Sequence, residues 1–236
     1  MIQKIFHPTV HLVVTLVWMV VALFMIFLYA PQELMMGEVQ RIFYIHLPSA
    51  WTAFVAYLVI FLGSVGYLWK RSQEADEWAQ AAGEVGFVFC SCVLVTGPLW
   101  AKPVWGIWWT WDARLTSTFV LWLLFVSYSM LRSYLVNPAR AASLAAVVGV
   151  IGFVDVPIVY MSIRWWRTQH PQPVIFGGEG SGLDPRMWAT VLVSFGAFFC
   201  LFLYLFRQRI WLLRAERELS ALRRRLPSRP SKEWSD

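Results

Sequence analysis

The chain of 236 residues is strongly apolar, with 58% hydrophobic and 14% charged residues. Soluble domains carry about 25% charged residues, so this chain lacks the polar side chains that cover a water-soluble globule. Intrinsic disorder is excluded too, and a disulfide-stapled secreted module is excluded because all three cysteines lie inside apolar runs. We therefore expect a polytopic membrane protein. Its net charge of +6 then indicates an uneven distribution of Lys and Arg across the bilayer, not nucleic-acid binding.

Six apolar runs are long enough to cross a bilayer, which takes about 17 to 25 residues. In chain order they are residues 11–30, 47–69, 85–101, 115–131, 141–163 and 187–206. The sequence therefore predicts an all-α protein with six transmembrane helices and both termini on one side. The first run lacks a small-residue cleavage site and is predicted to be an anchor, not a signal peptide.

The basic residues predict the orientation, because cytoplasmic loops carry the excess of Lys and Arg. Fourteen of the 20 flank the side that holds the termini, so we expect both termini in the cytoplasm. The resulting outer loops are residues 31–46, 102–114 and 164–186, and the inner links are residues 70–84 and 132–140.

The chain divides into a six-helix membrane domain, residues 1–206, and a basic cytoplasmic tail, residues 207–236. Apolar residues recur every three or four positions in the tail, which predicts a helix that continues the last span and ends before Pro227 and Pro230. We expect this basic segment to lie against lipid headgroups.

Residues 100–118, WAKPVWGIWWTWDARLTST, concentrate tryptophan in one outer loop. The tryptophans are Trp100, Trp105, Trp108, Trp109 and Trp111. An interfacial aromatic belt would populate both membrane surfaces, whereas nine of the 15 tryptophans lie on the outer side. We favour a platform for a planar aromatic ligand over such a belt, with Gly106 allowing close approach.

Two of the four histidines lie at the same outer level as this loop. His46 lies in RIFYIHLPSAW at the start of the second helix, and His170 lies in IRWWRTQHPQP just after the fifth. Two neutral imidazoles on opposite faces of a flat macrocycle are what axial ligation of heme iron requires. His7 and His11 lie on the inner side, where we expect them only to solvate a helix end.

Arginines near these groups are candidates for the heme propionates, since a guanidinium binds a carboxylate through paired donors. They are Arg41, Arg114, Arg164 and Arg167. The ordinary basic flank of a helix is the alternative for each of them. Asp112 is a candidate to orient Arg114 or the tryptophan loop, or else to cap the fourth helix.

Asp155 is the one carboxylate inside a predicted span, and Pro157 follows it closely. A charge within the bilayer is costly, which makes such a residue a functional candidate. We favour a structural role inside the bundle over a role in proton or ligand movement.

The segment WGIWWTWDARLT resembles the tryptophan-rich WWD signature of the heme-handling proteins of cytochrome c biogenesis. With RIFYIHLPSAW, PIVYMSIRWWRTQH and six spans, the chain is most similar to the CcmC family, over roughly residues 35–190. This resemblance implies a bacterial inner-membrane protein that holds heme b non-covalently at the periplasmic face. It places the two axial histidines of the family on His46 and His170. The tryptophan-rich segment, which contacts heme and its acceptor, falls on residues 105–114.

The resemblance also implies partners. Members of the family load heme onto the membrane-anchored chaperone CcmE, and they work with the ATP-binding cassette subunits CcmA and CcmB and the small protein CcmD. The chain itself has no CxxCH motif for covalent heme attachment. We therefore expect a carrier that templates attachment to its chaperone by orientation, not an enzyme with its own nucleophile.

Two other functions stay open on the residues alone. A membrane cytochrome b-type electron-transfer subunit would bury its histidines within spans and hold heme near both faces. His7 and His11 are four positions apart on one helix and cannot flank a ring from opposite sides. A heme-export channel would line the inner half of its spans with polar residues, and these runs are apolar there.

Overall fold

The computed structural model describes residues 7–166, 168–170 and 182–225. Within those ranges every regular element is a helix, which confirms the all-α prediction. The α-helices are α1 (Pro8–Phe24), α2 (Phe43–Lys70), α3 (Gln73–Trp105), α4 (Ala113–Tyr134), α5 (Pro138–Gly152), α6 (Asp155–Trp165) and α7 (Pro185–Arg225). A π-helical turn (Met25–Tyr29) extends α1, and a 3-10 turn (Glu38–Ile42) leads into α2.

Six helical segments in the described part of the chain are long and apolar enough to cross a membrane, as predicted. They are Pro8–Tyr29, Glu38–Lys70, Gln73–Trp105, Ala113–Tyr134, Pro138–Trp165 and Pro185–Arg224. The fifth combines α5 and α6, so that seven α-helices make six spans.

Helices α3 and α7 run antiparallel. The α3–α7 ion pairs join Glu84 to Arg209 and Glu77 to Arg214, so residue numbers fall along one helix as they rise along the other. The bundle therefore has two ends. We call the end where α3 stops and α4 starts the site end, and the end that holds residues 7 and 225 the terminal end.

Small residues let the central helices approach closely. A Cβ atom added to Gly86 of α3 would lie 2.6 Å from both Ala56 of α2 and the Phe125 ring of α4. Helix association in a bilayer depends on such close packing, because lipid tails are as apolar as the helix surfaces. The tight centre fixes α2, α3 and α4 relative to one another, and these three helices form most of the site described below.

The helix boundaries differ from the predicted ones at the terminal end. Residues 70–84 were expected to link two spans, yet α3 begins at Gln73, and Ser72 caps it by accepting from the Ala75 N–H at 3.3 Å. Acidic residues in this first turn, Glu74 and Asp76, suit the positive end of the helix dipole. A search for uncharged runs misses these polar turns because they extend the helix beyond the apolar stretch.

The fifth span is interrupted at Phe153 and Val154, between α5 and α6. Pro157 lies in the first turn of α6, where a missing N–H costs no helical hydrogen bond, so the break precedes it. Asp155 opens α6 and is 8% exposed. Its Oδ2 has no hydrogen-bond partner among the described residues.

The tail continues the last span, as predicted, since α7 is unbroken to Arg225 and crosses the boundary drawn at residue 206. Two of its arginines form ion pairs with α3: Arg209 donates to Glu84 at 3.0 Å, and Arg214 donates to Glu77 at 2.9 Å. The acidic start of α3 provides these partners.

Glu77 holds two tail arginines, Arg214 and Arg217, while its own side chain is 10% exposed. Glu77→Gln is expected to destabilise the bundle by about 2 kcal/mol, because a hydrogen bond to a charged group contributes roughly 1.5–3 kcal/mol. Thermal unfolding in detergent measures this loss. Glu74→Gln is the matched control: Glu74 is 67% exposed and lies 3.8 Å from Arg214, so its loss should be within about 0.5 kcal/mol of zero. Equal losses of stability in Glu77→Gln and Glu74→Gln would contradict the stabilising role assigned to Glu77.

Candidate functional site

A cavity opens at the site end between α2, α3 and α4. Its empty volume is about 890 Å³, including the part open to the surroundings. Apolar side chains form most of its wall. The candidates from the sequence that line it are His46, Trp100, Trp105, Trp109, Arg114 and His170. Residues far apart in the chain thus meet at one place.

His46 lies in the first turns of α2, not in a loop, because α2 begins at Phe43. Its ring is half-buried against α3: Nδ1 lies 2.9 Å from Thr96 Oγ1, and the ring meets Trp100 edge-on with centroids 5.9 Å apart. Sequence analysis did not identify Thr96. The helical spacing of four residues between Thr96 and Trp100 places both on one face, but nothing in the sequence pairs that face with His46.

His170 follows α6, and Asp112 joins its segment to the tryptophan loop. Asp112 Oδ2 accepts from the Gln169 N–H at 3.3 Å and from the Thr110 hydroxyl at 3.1 Å. Its Oδ1 accepts from the Arg114 and Leu115 N–H groups at 2.9 and 3.0 Å, which caps α4. Asp112 therefore combines two of the roles considered for it, as helix cap and as anchor of the loop.

The electrostatics of Asp112 reflect these contacts. Burial by itself would raise the pKa of this carboxyl, but the hydrogen bonds that it accepts, first among them that from Leu115, outweigh burial. They hold the pKa of Asp112 below its ordinary value. The carboxylate is thus the form that fits the loop, since N–H and O–H donors favour the charged state.

The four tryptophans of residues 105–114 separate into two pairs. Trp105 ends α3 and lines the cavity together with Trp109. Trp108 and Trp111 are 55% and 73% exposed and do not line it. Trp109 and Trp111 still touch edge-on, with centroids 5.6 Å apart. One face of the loop therefore contributes to the cavity and the other is presented outward.

The candidate arginines also separate. Arg114 lines the cavity, and its guanidinium donates to the carbonyl of Val159 on α6 at 2.7 Å. Arg41 lies in the 3-10 turn before α2, where it pairs with Glu38 and donates to the Ile26 carbonyl near the end of the first span. It does not line the cavity. Arg164 lies over the Tyr160 ring at 5.8 Å, also outside the wall. Arg167 lies outside the described residues.

The donor set fits heme better than a bare metal ion. In the part of the chain that the structure describes, no three His, Cys, Asp or Glu side chains are close enough to hold a metal. Two imidazoles suffice only where the ligand supplies the remaining donors, as a porphyrin does. The indole N–H groups of Trp100 and Trp109 are buried at this end without an acceptor among the described residues, so two further donors are unused there. Together with Arg114 they suit a ligand that carries carboxylates.

Comparison with known proteins gives a consistent result. Residues 2–225 match the family described as heme exporter protein C. A heme exporter protein C of Bradyrhizobium diazoefficiens is 38% identical over 176 residues, which cover 75% of this chain and 67% of that protein. That of Rhodobacter capsulatus is 30% identical over 198 residues, 84% of this chain and 80% of that protein. That of Escherichia coli K12 is 36% identical over 143 residues, 60% of this chain and 58% of that protein.

Proposed function

The chain belongs to the heme exporter protein C family, and from this premise we propose that it holds heme b at the periplasmic face of the bacterial inner membrane and delivers it to the chaperone CcmE. The membership confirms the resemblance to the CcmC family and supports a role in heme handling for cytochrome c maturation. The observation that carries the finer proposal is the shared cavity: His46 and His170, 124 positions apart in the sequence, line one apolar cleft.

In this proposal His46 and His170 are the axial ligands of the iron, and heme is cargo. Trp105 and Trp109 bound the ring edge, and Arg114 faces the propionates. Iron–imidazole bonds form and break without covalent change, so the chain can release what it binds. Its two ligands are held differently: His46 is on α2 against Thr96, whereas His170 is on a segment after α6 that Asp112 contacts through the Gln169 N–H. Movement of the His170 segment is the simplest route to release.

The exposed face of the tryptophan loop is proposed to receive the chaperone. Trp108 and Trp111 present large aromatic surfaces outward, next to the cavity that Trp109 lines. Aromatic side chains of this kind dominate binding energy at protein interfaces. CcmA, CcmB and CcmD are proposed as further partners of the membrane domain. Orientation of heme at this face would template its attachment to the chaperone.

The placement of the histidines disfavours a cytochrome b-type subunit. His7 and His11 lie at the terminal end, where the His11 ring meets Tyr204 at 5.5 Å, and they share one helix. Both remaining histidines line the cavity at the site end. A transmembrane electron path would need a second heme near the terminal end, and the histidines there cannot flank a ring.

Spectroscopy of the purified protein tests the proposal. Added heme is expected to give the absorption of six-coordinate, low-spin iron, and holo protein is expected to pass heme to CcmE. Trp108→Ala combined with Trp111→Ala should keep the low-spin spectrum and slow transfer about tenfold or more, since interface hot spots contribute roughly 2 kcal/mol or more each. Trp69 is an exposed tryptophan at the terminal end, and Trp69→Ala is the control. It should change neither the low-spin spectrum nor the rate of transfer. A wild-type protein that takes up no heme would refute the function.

A further inference from the structure

We infer that Thr96 is a positioning residue that fixes the proton of His46 on Nδ1 and so leaves Nε2 as the nitrogen that ligates iron. The inference rests on the proposed function and deepens it, because it names the group that prepares one ligand before heme arrives. Thr96 is on α3, 50 positions from His46 in the sequence. No motif in the chain indicates the pairing.

The direction of the hydrogen bond follows from counting hydrogens. Thr96 Oγ1 lies 2.7 Å from the Cys92 carbonyl oxygen and 3.4 Å from that of Val93. Carbonyl oxygens only accept, so the single hydroxyl hydrogen points back into α3. The same Oγ1 lies 2.9 Å from Nδ1 of His46 and must accept there. Nδ1 therefore carries the hydrogen.

The tautomer decides which nitrogen can bind a metal. A neutral imidazole has one N–H and one lone pair, so a hydrogen on Nδ1 leaves the lone pair on Nε2. The partner of the other ring nitrogen is known to orient metal-binding histidines and to raise their basicity. Thr96 occupies that position for His46.

Neighbouring groups on α3 hold the ring in this orientation. A Cβ atom added to Gly97 would lie 3.6 Å from His46 Cε1, which shows how closely the α3 backbone approaches the ring. Trp100 meets the same ring edge-on. Thr96, Gly97 and Trp100 thus form one turn of α3 that contacts His46, and Thr96 alone supplies a polar contact to it among the described residues.

Thr96→Val tests the inference, because valine keeps the shape of threonine and removes the acceptor. In this variant the Nδ1–H of His46 has no acceptor, so the tautomer that carries its hydrogen on Nε2 is no longer disfavoured. In that tautomer the hydrogen occupies the nitrogen that would bind iron. Heme retention is expected to fall by about 10- to 100-fold, the usual cost of losing such an outer-shell partner. The midpoint potential of the bound heme is expected to rise, since a less basic imidazole stabilises oxidised iron less well. Thr96→Ser should restore both properties.

Thr190→Val is the matched control. Thr190 is buried and does not line the cavity, and its hydroxyl donates to the Arg186 carbonyl at 2.7 Å within its own helix. This control variant should leave heme retention and the midpoint potential of the bound heme unchanged. Equal retention and potential in Thr96→Val and the wild type would overturn the inference, as would a Thr96→Ser variant that behaves like Thr96→Val. Thr96→Ala supplies a second variant without the hydroxyl and decides the question if the valine variant does not accumulate. Failure of the proposed function would be seen in a different variant. If His46 is not a ligand, His46→Gly keeps an unaltered low-spin heme.

Discussion

Glycine in place of either His46 or His170 is expected to leave heme iron one axial ligand short. Each single variant should lose most of its heme, by more than the roughly 10- to 100-fold that removal of an outer-shell partner costs, and the remainder should shift toward high spin. The substitution also opens a space of the size of an imidazole beside the cavity. Free imidazole at millimolar concentration should enter that space and restore the low-spin spectrum. Absorption spectroscopy of the purified variants measures both effects.

The other two histidines provide the controls for this experiment. His7 and His11 lie at the terminal end, one as the N-cap residue of α1 and the other within its first turns. Glycine at either position should leave the heme spectrum unchanged, because the length of the bundle separates them from the cavity. An unaltered low-spin heme in both His46→Gly and His170→Gly would show that another pair of ligands holds the iron.

The six spans could be predicted because membrane helices are defined locally, by the length of an uncharged run. The polar first turns of α3 were missed because they extend the helix beyond the uncharged run. Glu77 and Glu84 of α3 pair with Arg214 and Arg209, more than 120 positions later in the chain. No local pattern indicates these pairings.

The candidate site could likewise be predicted from the sequence only in part. Residue type and common level in the membrane were enough to select His46, His170 and the tryptophan loop. The side of the loop on which each tryptophan lies is set by the backbone after Gly106, which has a φ of 77° and ends α3. This turn separates Trp109 from Trp108, and no periodicity predicts it. Arg41 was selected as a propionate candidate, but it pairs with Glu38 three positions earlier.

Asp112→Ala is expected to lower heme retention through the position of His170. The carboxylate caps α4 and also anchors the backbone of Gln169, the residue before the proposed ligand. Alanine removes both contacts at once. Loss of the cap should cost about 1 kcal/mol of stability. Loss of the anchor should free the His170 segment and weaken heme retention by about tenfold, in the range of other outer-shell losses. Heme dissociation and thermal unfolding, measured on one preparation, report the two effects separately.

Asn137→Ala separates the cap from the anchor. Asn137 caps α5 with the same geometry, accepting from the Ala139 and Arg140 N–H groups at 3.0 and 3.1 Å, but it lies at the terminal end. The Asn137→Ala variant should lose as much stability as Asp112→Ala but keep its heme. Asp112→Asn retains an oxygen acceptor for the cap and the anchor. Its heme retention and its stability should therefore fall between those of the wild type and of the alanine variant. If Asp112→Ala and Asn137→Ala retain heme equally well, Asp112 acts only as a helix cap, and the position of His170 is determined by other contacts.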